Sequence, residues 1–289
     1  MAPNPIVYKT ATGDNRGFTN SQTVWKLRSI LISDPAVIIL TIAMGALSYI
    51  CSFWDPNGRT QHRIARRWGR MLLAVSFVRT TIRGAEKLDP HASCVVVSNH
   101  SSFMDIPALY TALPLEIRFF AKKGLFSIPL LGWHLKRAGH LPVIRGDARA
   151  SLKSMSEGAK LIRARGVSVL LFPEGGRSQS AMRPFKEGAA YIAIKAGVPV
   201  VPVGIVNMRS VLPMGSGLLR PAEVEVNIGE PIDTTGLTLH DRGRLNEILQ
   251  ERVAELAREQ IPTAAENLVG PGFQTAAGLL PGAERPKCP

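Results

Sequence analysis

The chain has 289 residues, of which 45% are hydrophobic and 20% charged, so it is long and apolar enough to fold around a large core. Its 35 Lys and Arg against 22 Asp and Glu give a formal net charge of +13, which favours a phosphate-rich partner: nucleic acid, an anionic membrane surface or a phosphorylated substrate. Aromatic residues make up only 6%, which weakens the nucleic-acid option, and three widely spaced cysteines exclude a disulfide framework or a CxxC zinc site.

The N-terminal part of the chain predicts a membrane-inserting element. Residues 1–34 are polar and mixed in composition, and residues 36–54 form a run of nineteen residues without a charge. A helix of this length can cross a hydrocarbon core of about 30 Å, and Tyr49 and Trp54 near its end suit the membrane interface. A buried core helix or a signal anchor would show the same pattern.

A strongly basic segment follows the apolar run and predicts an amphipathic helix on a membrane surface. The arginines between residues 55 and 86 are Arg59, Arg63, Arg66, Arg67, Arg70, Arg79 and Arg83. The first five lie near one another on a helical face, beside an apolar stripe that includes Ile64, Trp68 and Leu72. An ordinary solvated helix face is the alternative. Because positive charge stays in the cytoplasm, the arginines place this end of the apolar run there, for one span or for a helix pair in one leaflet.

From about residue 90, short β-branched runs alternate with helical patterns, which predicts an α/β fold with a mostly parallel central sheet covered by helices. The predicted strands are 94–98, 117–120, 141–144, 167–172, 200–206 and 224–228, and the predicted helices are 103–112, 125–138, 149–165, 185–196 and 241–259. Four regions follow: a polar segment (1–34), membrane-inserting and basic amphipathic helices (35–83), the α/β domain (84–260) and a flexible tail (261–289).

The first polar cluster after a strand contains a histidine and an aspartate five residues apart, His100 and Asp105. In such sheets, ligands bind beyond the carboxyl ends of the strands. On one continuous helix the two side chains would point about 140° apart, so they can meet only if His100 lies in the turn. The pair would then act as a base and the group that orients it. Equally, Asp105 could simply cap a helix.

A second cluster at residues 172–178 ends another predicted strand with a carboxylate, two glycines and an arginine. Gly175 lets backbone N–H groups approach a ligand closely, and Arg177 offers a planar fork to a phosphate. The glycine spacing is not that of a P-loop, and an ordinary tight turn is the alternative. Two weaker signals, Arg145 at a strand end and Lys186, add cationic groups near the same predicted site.

Several familiar catalytic motifs are absent from the sequence. It has no Gly-x-Ser-x-Gly elbow, no His-Glu-x-x-His pattern and no Gly-x-Gly-x-x-Gly after a strand. These absences argue against a serine hydrolase, a zinc enzyme and a dinucleotide-dependent enzyme.

Two motifs together resemble those of the glycerolipid acyltransferase family: Asn-His-Ser-Ser-Phe-Met-Asp at 99–105 and Phe-Pro-Glu-Gly at 172–175. A glycine-to-arginine block at 139–145 and a Val-Pro-Val strand at 201–203 complete the four ordered blocks of that family. The chain is most similar to the bacterial 1-acyl-sn-glycerol-3-phosphate acyltransferases. The resemblance covers about residues 60–230.

The resemblance implies transfer of an acyl group from acyl-CoA or acyl carrier protein to the free hydroxyl of lysophosphatidic acid, giving phosphatidic acid. It implies no metal and no bound cofactor. By motif position, His100 is the base, Asp105 orients it, and Glu174 either holds an acceptor hydroxyl or shapes the site. The residues that match substrate-binding positions are Asn99, Arg145, Glu174, Gly175, Arg177 and Lys186.

The resemblance also implies partners and a location. Membrane lipids and acyl-CoA or acyl carrier protein are expected partners, and nucleic acid is not; the oligomeric state is open. The expected location is a membrane, with the active site on the cytoplasmic face of a bacterial inner membrane. Ile144, Gly176 and Glu187 depart from the family pattern on the phosphate side of the site. The alternatives are therefore another acceptor (a lysophospholipid, a lyso-aminolipid or glycerol-3-phosphate) or an inactive membrane-binding scaffold.

Overall fold

The computed structural model describes residues 23–144, 146–179 and 181–259, and these residues fold around one seven-stranded sheet. The strands β1 to β7 are Val78–Arg83, Val95–Ser98, Ile117–Lys122, Leu141–Val143, Ser168–Leu171, Val200–Val206 and Ala222–Ile228. The helices α1 to α8 are Thr23–Cys51, Arg59–Val75, Asp105–Ala112, Leu131–Arg137, Ala148–Arg165, Gly188–Ala196, Met208–Val211 and Arg242–Ala257. The predicted tail at 261–289 and the candidate Arg145 lie outside the described residues.

The sheet confirms the predicted α/β class. Its strand order is β1-β7-β6-β2-β5-β3-β4, and every neighbouring pair is parallel except β6 with β7. Side chains of β2 alternate between two cores: Val96 packs with the helices of one face, and Val95 and Val97 pack with those of the other. Burial on both faces explains why the central strands read as continuous apolar runs in the sequence.

Strand β1 corrects the prediction for the basic segment. Arg79 and Arg83 lie on this edge strand, not on an amphipathic helix, so the predicted helical region 35–83 includes a strand at its end. The strand was missed because only Val78 in it is buried, and arginines elsewhere along it interrupt the apolar pattern. Charged side chains are common on edge strands, where they hinder pairing with other chains.

The two N-terminal helices also differ from the prediction. Helix α1 already includes Thr23, the first described residue, which lies inside the predicted polar segment 1–34, and it continues through the apolar run. In α2 the arginines at 59, 63, 67 and 70 are exposed, but Ile64 and Leu72 of the apolar stripe are buried and Trp68 packs against the core. The stripe of α2 therefore covers the sheet domain and does not face a membrane.

The remaining helices follow the prediction with shifted bounds. The predicted helix 125–138 is a 3₁₀ turn at Lys123–Ser127 followed by α4, since Pro129 lacks the N–H and the rotational freedom that a continuous helix needs. Helix α3 begins at Asp105, two residues after the predicted start, which leaves His100 in the turn after β2.

Candidate active site

The sheet brings two predicted polar clusters together at the carboxyl ends of two central strands. Strands β2 and β5 are parallel neighbours, with Val97 opposite Leu171, so their carboxyl ends lie side by side. The turn after β2 carries His100 and the loop after β5 carries Glu174. The Ser178 N–H donates to the carbonyl of His100 at 2.8 Å, which ties the loop to the turn.

The histidine and the aspartate form a hydrogen-bonded pair. His100 Nδ1 lies 2.7 Å from Asp105 Oδ2, and the aspartate is fully buried. The same oxygen accepts the N–H groups of Ser101 and Ser102 at 2.8 and 2.9 Å. Because these residues precede α3, the carboxylate closes the turn and does not cap the helix. Binding at Nδ1 leaves Nε2 of the imidazole as the nitrogen that can take a proton from a substrate.

Phe172 fixes the plane of the imidazole. Its ring stacks on that of His100 with centroids 4.0 Å apart and an angle of 15° between the planes. Sequence reasoning placed Phe172 at the end of a strand and gave it no role. The hydrogen bond to Asp105 fixes one edge of the histidine ring and this stacking fixes one face, so the base is held in one orientation.

Glu174 is engaged by the backbone on both sides of its carboxylate. Oε1 accepts the N–H of His100 at 2.8 Å, and Oε2 accepts the N–H of Arg183 at 3.0 Å. Burial raises the pKa of this carboxyl, and the backbone donors oppose the shift. Of the two roles inferred for Glu174, this geometry fits shaping the site.

Asn99 lies behind the catalytic turn. Its side chain is buried and bridges to β6: Oδ1 accepts the N–H of Ile205 at 2.8 Å, and Nδ2 donates to the Ile205 carbonyl at 3.0 Å. Nδ2 also lies 3.3 Å from Glu259 Oε1. Both ends of the Asn99 amide therefore form hydrogen bonds within the protein, and the geometry fits a structural role better than the predicted substrate contact. Because the two residues are so far apart in the chain, no local sequence pattern indicates this hydrogen bonding.

A cavity of ≈ 1800 Å³ opens beside His100. One part of its wall is cationic, formed by Arg177, Arg183, Lys186 and Arg242, and the other part is apolar and includes α1 residues such as Ile38 and Ile42. Among the described residues, Arg177, Arg183 and Lys186 form no ion pair, whereas Arg242 pairs with Glu187 at 2.6 Å. This wall can hold an anion next to the histidine.

Close contacts fix two of the predicted site residues, Arg177 and Gly175. The guanidinium carbon of Arg177 lies 3.6 Å from the centroid of the Phe103 ring, a cation–π contact that keeps the side chain flat. Gly175 has φ +72°, and a Cβ there would approach Lys186 Nζ to 3.0 Å. Sequence reasoning missed Arg183, which lies three residues before Lys186, and Arg242, which reaches the cavity from α8.

Comparisons with known proteins agree with this geometry. The family described as Acyltransferase matches residues 79–206. A chloroplastic 1-acyl-sn-glycerol-3-phosphate acyltransferase of Brassica napus is 36% identical over 68% of this chain and 57% of its own length. The human 1-acyl-sn-glycerol-3-phosphate acyltransferase alpha is 30% identical over 65% of this chain and 68% of its own. The crystal structure of the 1-acyl-sn-glycerophosphate acyltransferase PlsC from Thermotoga maritima superimposes with a TM-score of 0.67 and 26% identity, over 82% of this chain and 99% of that one. The chain spans little more than half the length of the plant relative.

Proposed function

The chain belongs to the acyltransferase family that includes the 1-acyl-sn-glycerol-3-phosphate acyltransferases, and from this premise we propose that it acylates lysophosphatidic acid to phosphatidic acid. One observation carries the proposal: the His100–Asp105 pair, with a 2.7 Å hydrogen bond, opens onto a cavity that is cationic in one part and apolar in another. A lysophosphatidic acid has the same two parts, a phosphate and an acyl chain, with its free hydroxyl between them.

In the proposed reaction, His100 Nε2 takes the proton of the acceptor hydroxyl as its oxygen attacks the thioester carbonyl carbon of the donor. The C–S bond breaks, and the departing thiolate receives the proton from the imidazolium, so the histidine returns to its starting state. Asp105 holds the neutral tautomer and stabilises the imidazolium between these steps. The chain's own residues suffice for this proton transfer, and we propose that the reaction needs no metal or bound cofactor.

The cavity wall supports one orientation of the acceptor lipid. We place its phosphate against Arg177, Arg183 and Lys186, because an unpaired guanidinium fork suits a phosphate and an ammonium adds charge. The acyl chain then lies along the apolar wall. Arg145, which family position also assigns to the phosphate, remains a prediction. The thioester donor is acyl-CoA or acyl carrier protein. That cationic side chains of the protein contact the donor's phosphates is a prediction as well.

We propose that α1 docks the enzyme on a membrane. Among the described helices, Thr23–Cys51 alone has the length and hydropathy to cross a bilayer, and only 6% of its most apolar window is buried, so it is not a core helix. Polar contacts along one stripe tie it to the rest of the protein: Ser29 Oγ to Leu219 N–H, Ser33 Oγ to the Val75 carbonyl and Ser48 Oγ to His134. Because these contacts run almost the whole helix, docking within one leaflet fits better than a span. The cytoplasmic face of a bacterial inner membrane remains our prediction for its location.

The test uses membranes that contain the full chain, a labelled acyl-CoA or acyl carrier protein, and a panel of lysolipids with glycerol-3-phosphate. We expect label in phosphatidic acid with wild-type protein and none with His100→Ala. His240→Ala, at an exposed position before α8, is the matched control and should keep full activity. Label in a different lipid would reject the acceptor and keep the mechanism. No transfer to any acceptor from either donor would reject the activity and favour an inactive scaffold.

A further inference from the structure

A second apolar surface lies beside α1, on the segment between β3 and β4. This segment, residues 123–137, consists of the 3₁₀ turn Lys123–Ser127 and helix α4. Its side chains Ile128, Leu131 and Trp133 are 45%, 37% and 45% exposed, and Ile128 and Leu131 also line the cavity beside His100. Three large apolar residues exposed within six positions exceed what scattered surface residues would give, and such patches mark interaction sites.

The segment is fixed to the C-terminal half of α1. His134 Nδ1 lies 2.7 Å from Ser48 Oγ, and the Trp133 ring packs on that of Tyr49 with centroids 4.9 Å apart. The turn after α1 adds two more exposed aromatic residues, Phe53 and Trp54, which are 58% and 78% exposed. The apolar surface of the segment is therefore continuous with the exposed face of α1.

Positive charge surrounds this surface. Lys122, Lys123, Lys136 and Arg137 are all exposed, and residues 117–146 contain no Asp or Glu. The guanidinium carbon of Arg137 lies 5.2 Å from the Phe53 ring centroid, so a cation sits directly beside the aromatic residues. Tryptophan with aliphatic side chains, bordered by lysine and arginine, matches the interface between acyl chains and anionic headgroups.

The backbone of this segment adopts an unusual conformation directly before helix α4. Leu130 has φ +61°, a conformation that non-glycine residues rarely adopt, and it lies directly before Leu131. Such strain persists where the surrounding structure maintains it, and it concentrates at functional positions.

We propose that the 123–137 segment is a second membrane-contacting element, which inserts Ile128, Leu131 and Trp133 into an anionic leaflet beside α1. The lysines and arginines at its border contact the lipid phosphates. An acidic protein could pair with the same cations, but it would not account for the continuity with α1, whose exposed face is apolar along its length. The proposal goes beyond the acyltransferase activity and its test needs no turnover.

The first experiment reports the depth of Trp133. The full chain carries Trp25→Phe, Trp54→Phe and Trp68→Phe, so that Trp133 is its single tryptophan, and it is bound to vesicles of phosphatidylcholine and phosphatidylglycerol. We expect lipids brominated on their acyl chains to quench Trp133 and vesicles to shift its emission to the blue. The control protein adds Trp133→Phe and Leu239→Trp, which moves the reporter to an exposed position before α8. Quenching that is equal in the two proteins overturns the proposal.

The second experiment keeps all tryptophans and compares two matched leucines. Leu131 and Leu239 are 37% and 38% exposed, so Leu131→Ser and Leu239→Ser remove similar accessible area from different surfaces. We expect Leu131→Ser to lower the vesicle partition coefficient roughly 3- to 10-fold, less than for a fully buried leucine because only part of this side chain is free to enter the lipid, and Leu239→Ser to leave it within about 1.5-fold. Equal effects would contradict the proposal. Lys136→Gln with Arg137→Gln should weaken binding to phosphatidylglycerol vesicles and not to pure phosphatidylcholine vesicles.

Discussion

At the scale of single residues, the proposed chemistry depends on how firmly His100 is oriented. Asp105 Oδ2 accepts three hydrogen bonds, from the imidazole and from two backbone N–H groups. Phe172 stacks on the ring, and Glu174 accepts the N–H of the histidine itself. The backbone and the side chain of the base are thus held by separate groups, which leaves only the proton on Nε2 to change during turnover.

Asp105→Asn should therefore disable the base with little change in the fold. The amide cannot stabilise the imidazolium and favours the wrong tautomer, so we expect kcat to fall by about 10³–10⁴ with the acceptor KM nearly unchanged. Steady-state kinetics on vesicle-borne lysophosphatidic acid measure this. Asp147→Asn, at the exposed N-cap of α5, is the control and should keep its kcat. A kcat for Asp105→Asn within tenfold of wild type would contradict the role of the aspartate.

Arg177 supports a second prediction at this scale. Since it lies on the cationic wall without an acidic partner among the described residues, Arg177→Ala should lower kcat/KM for the acceptor by about 10- to 100-fold, as expected for the loss of a charge-assisted contact to phosphate. The KM for the donor should not change. Arg163→Ala, at an exposed position on α5, provides the comparison. If both variants affect the acceptor equally, Arg177 does not bind the phosphate.

These residues also show which contacts of the site the sequence could predict and which it could not. The spacing of His100 and Asp105 gave the condition for their meeting, a histidine in the turn, and left helix capping equally open; the structure shows the pair. Motif position predicted a substrate contact for Asn99, whereas in the structure its side chain hydrogen-bonds to Ile205, more than a hundred residues away. Side-chain contacts across strands depend on sheet order, and motif spacing alone does not contain that information.

At the scale of elements, the buried strands were predictable and the edge strand was not. Continuous β-branched runs such as 200–206 reflect burial on both faces, and the structure has a strand there with the same bounds. Strand β1 has only one buried residue, so the sequence pattern did not distinguish it from the predicted basic helix before it. The apolar stripe of α2 has the same period whether it covers a sheet or a membrane, so the sequence could not decide its partner.

Gly204 gives a prediction for the packing of elements. A Cβ there would lie 2.2 Å from the Ala257 nitrogen, so strand β6 and the end of α8 touch backbone to backbone at this point. Gly204→Ala should lower the free energy of unfolding by roughly 3 kcal/mol, since neither element can move alone. Chemical denaturation in detergent measures the loss. Gly124→Ala, which has nothing within 4 Å of its new Cβ, is the control, and equal losses would contradict this account.

At the scale of the whole molecule, a cluster of buried titratable groups links stability to pH. Burial, with the nearby charges of Arg118 and Arg66, lowers the pKa of His62 to about 3. Burial, with the charge of Arg118, lowers the pKa of His134 to about 4. Both histidines fold in the neutral form. As pH falls below 6.5, the unfolded chain binds protons that the folded chain does not, and stability is lost.

The loss should be visible between pH 7 and pH 5. For His62 alone it amounts to about 2 kcal/mol at pH 5, from the gap between that pH and the ordinary histidine pKa. His62→Leu should flatten the pH dependence of the free energy of unfolding by about that amount, with urea titrations in detergent as the measurement. His91→Leu, at an exposed position, is the control. Parallel pH profiles for His62→Leu and wild type would reject the contribution of His62.

The pairing of the first strand with the last has a consequence for how the chain is made. Strand β1 has β7 as its neighbour, so a ribosome must complete residues 222–228 before the sheet can close. Helices α1 and α2 leave the ribosome long before that point, while the surfaces they will cover do not yet exist. If α1 docks on a membrane as we propose, we expect it to reach the bilayer first during synthesis, so that the sheet closes on a chain that is already attached.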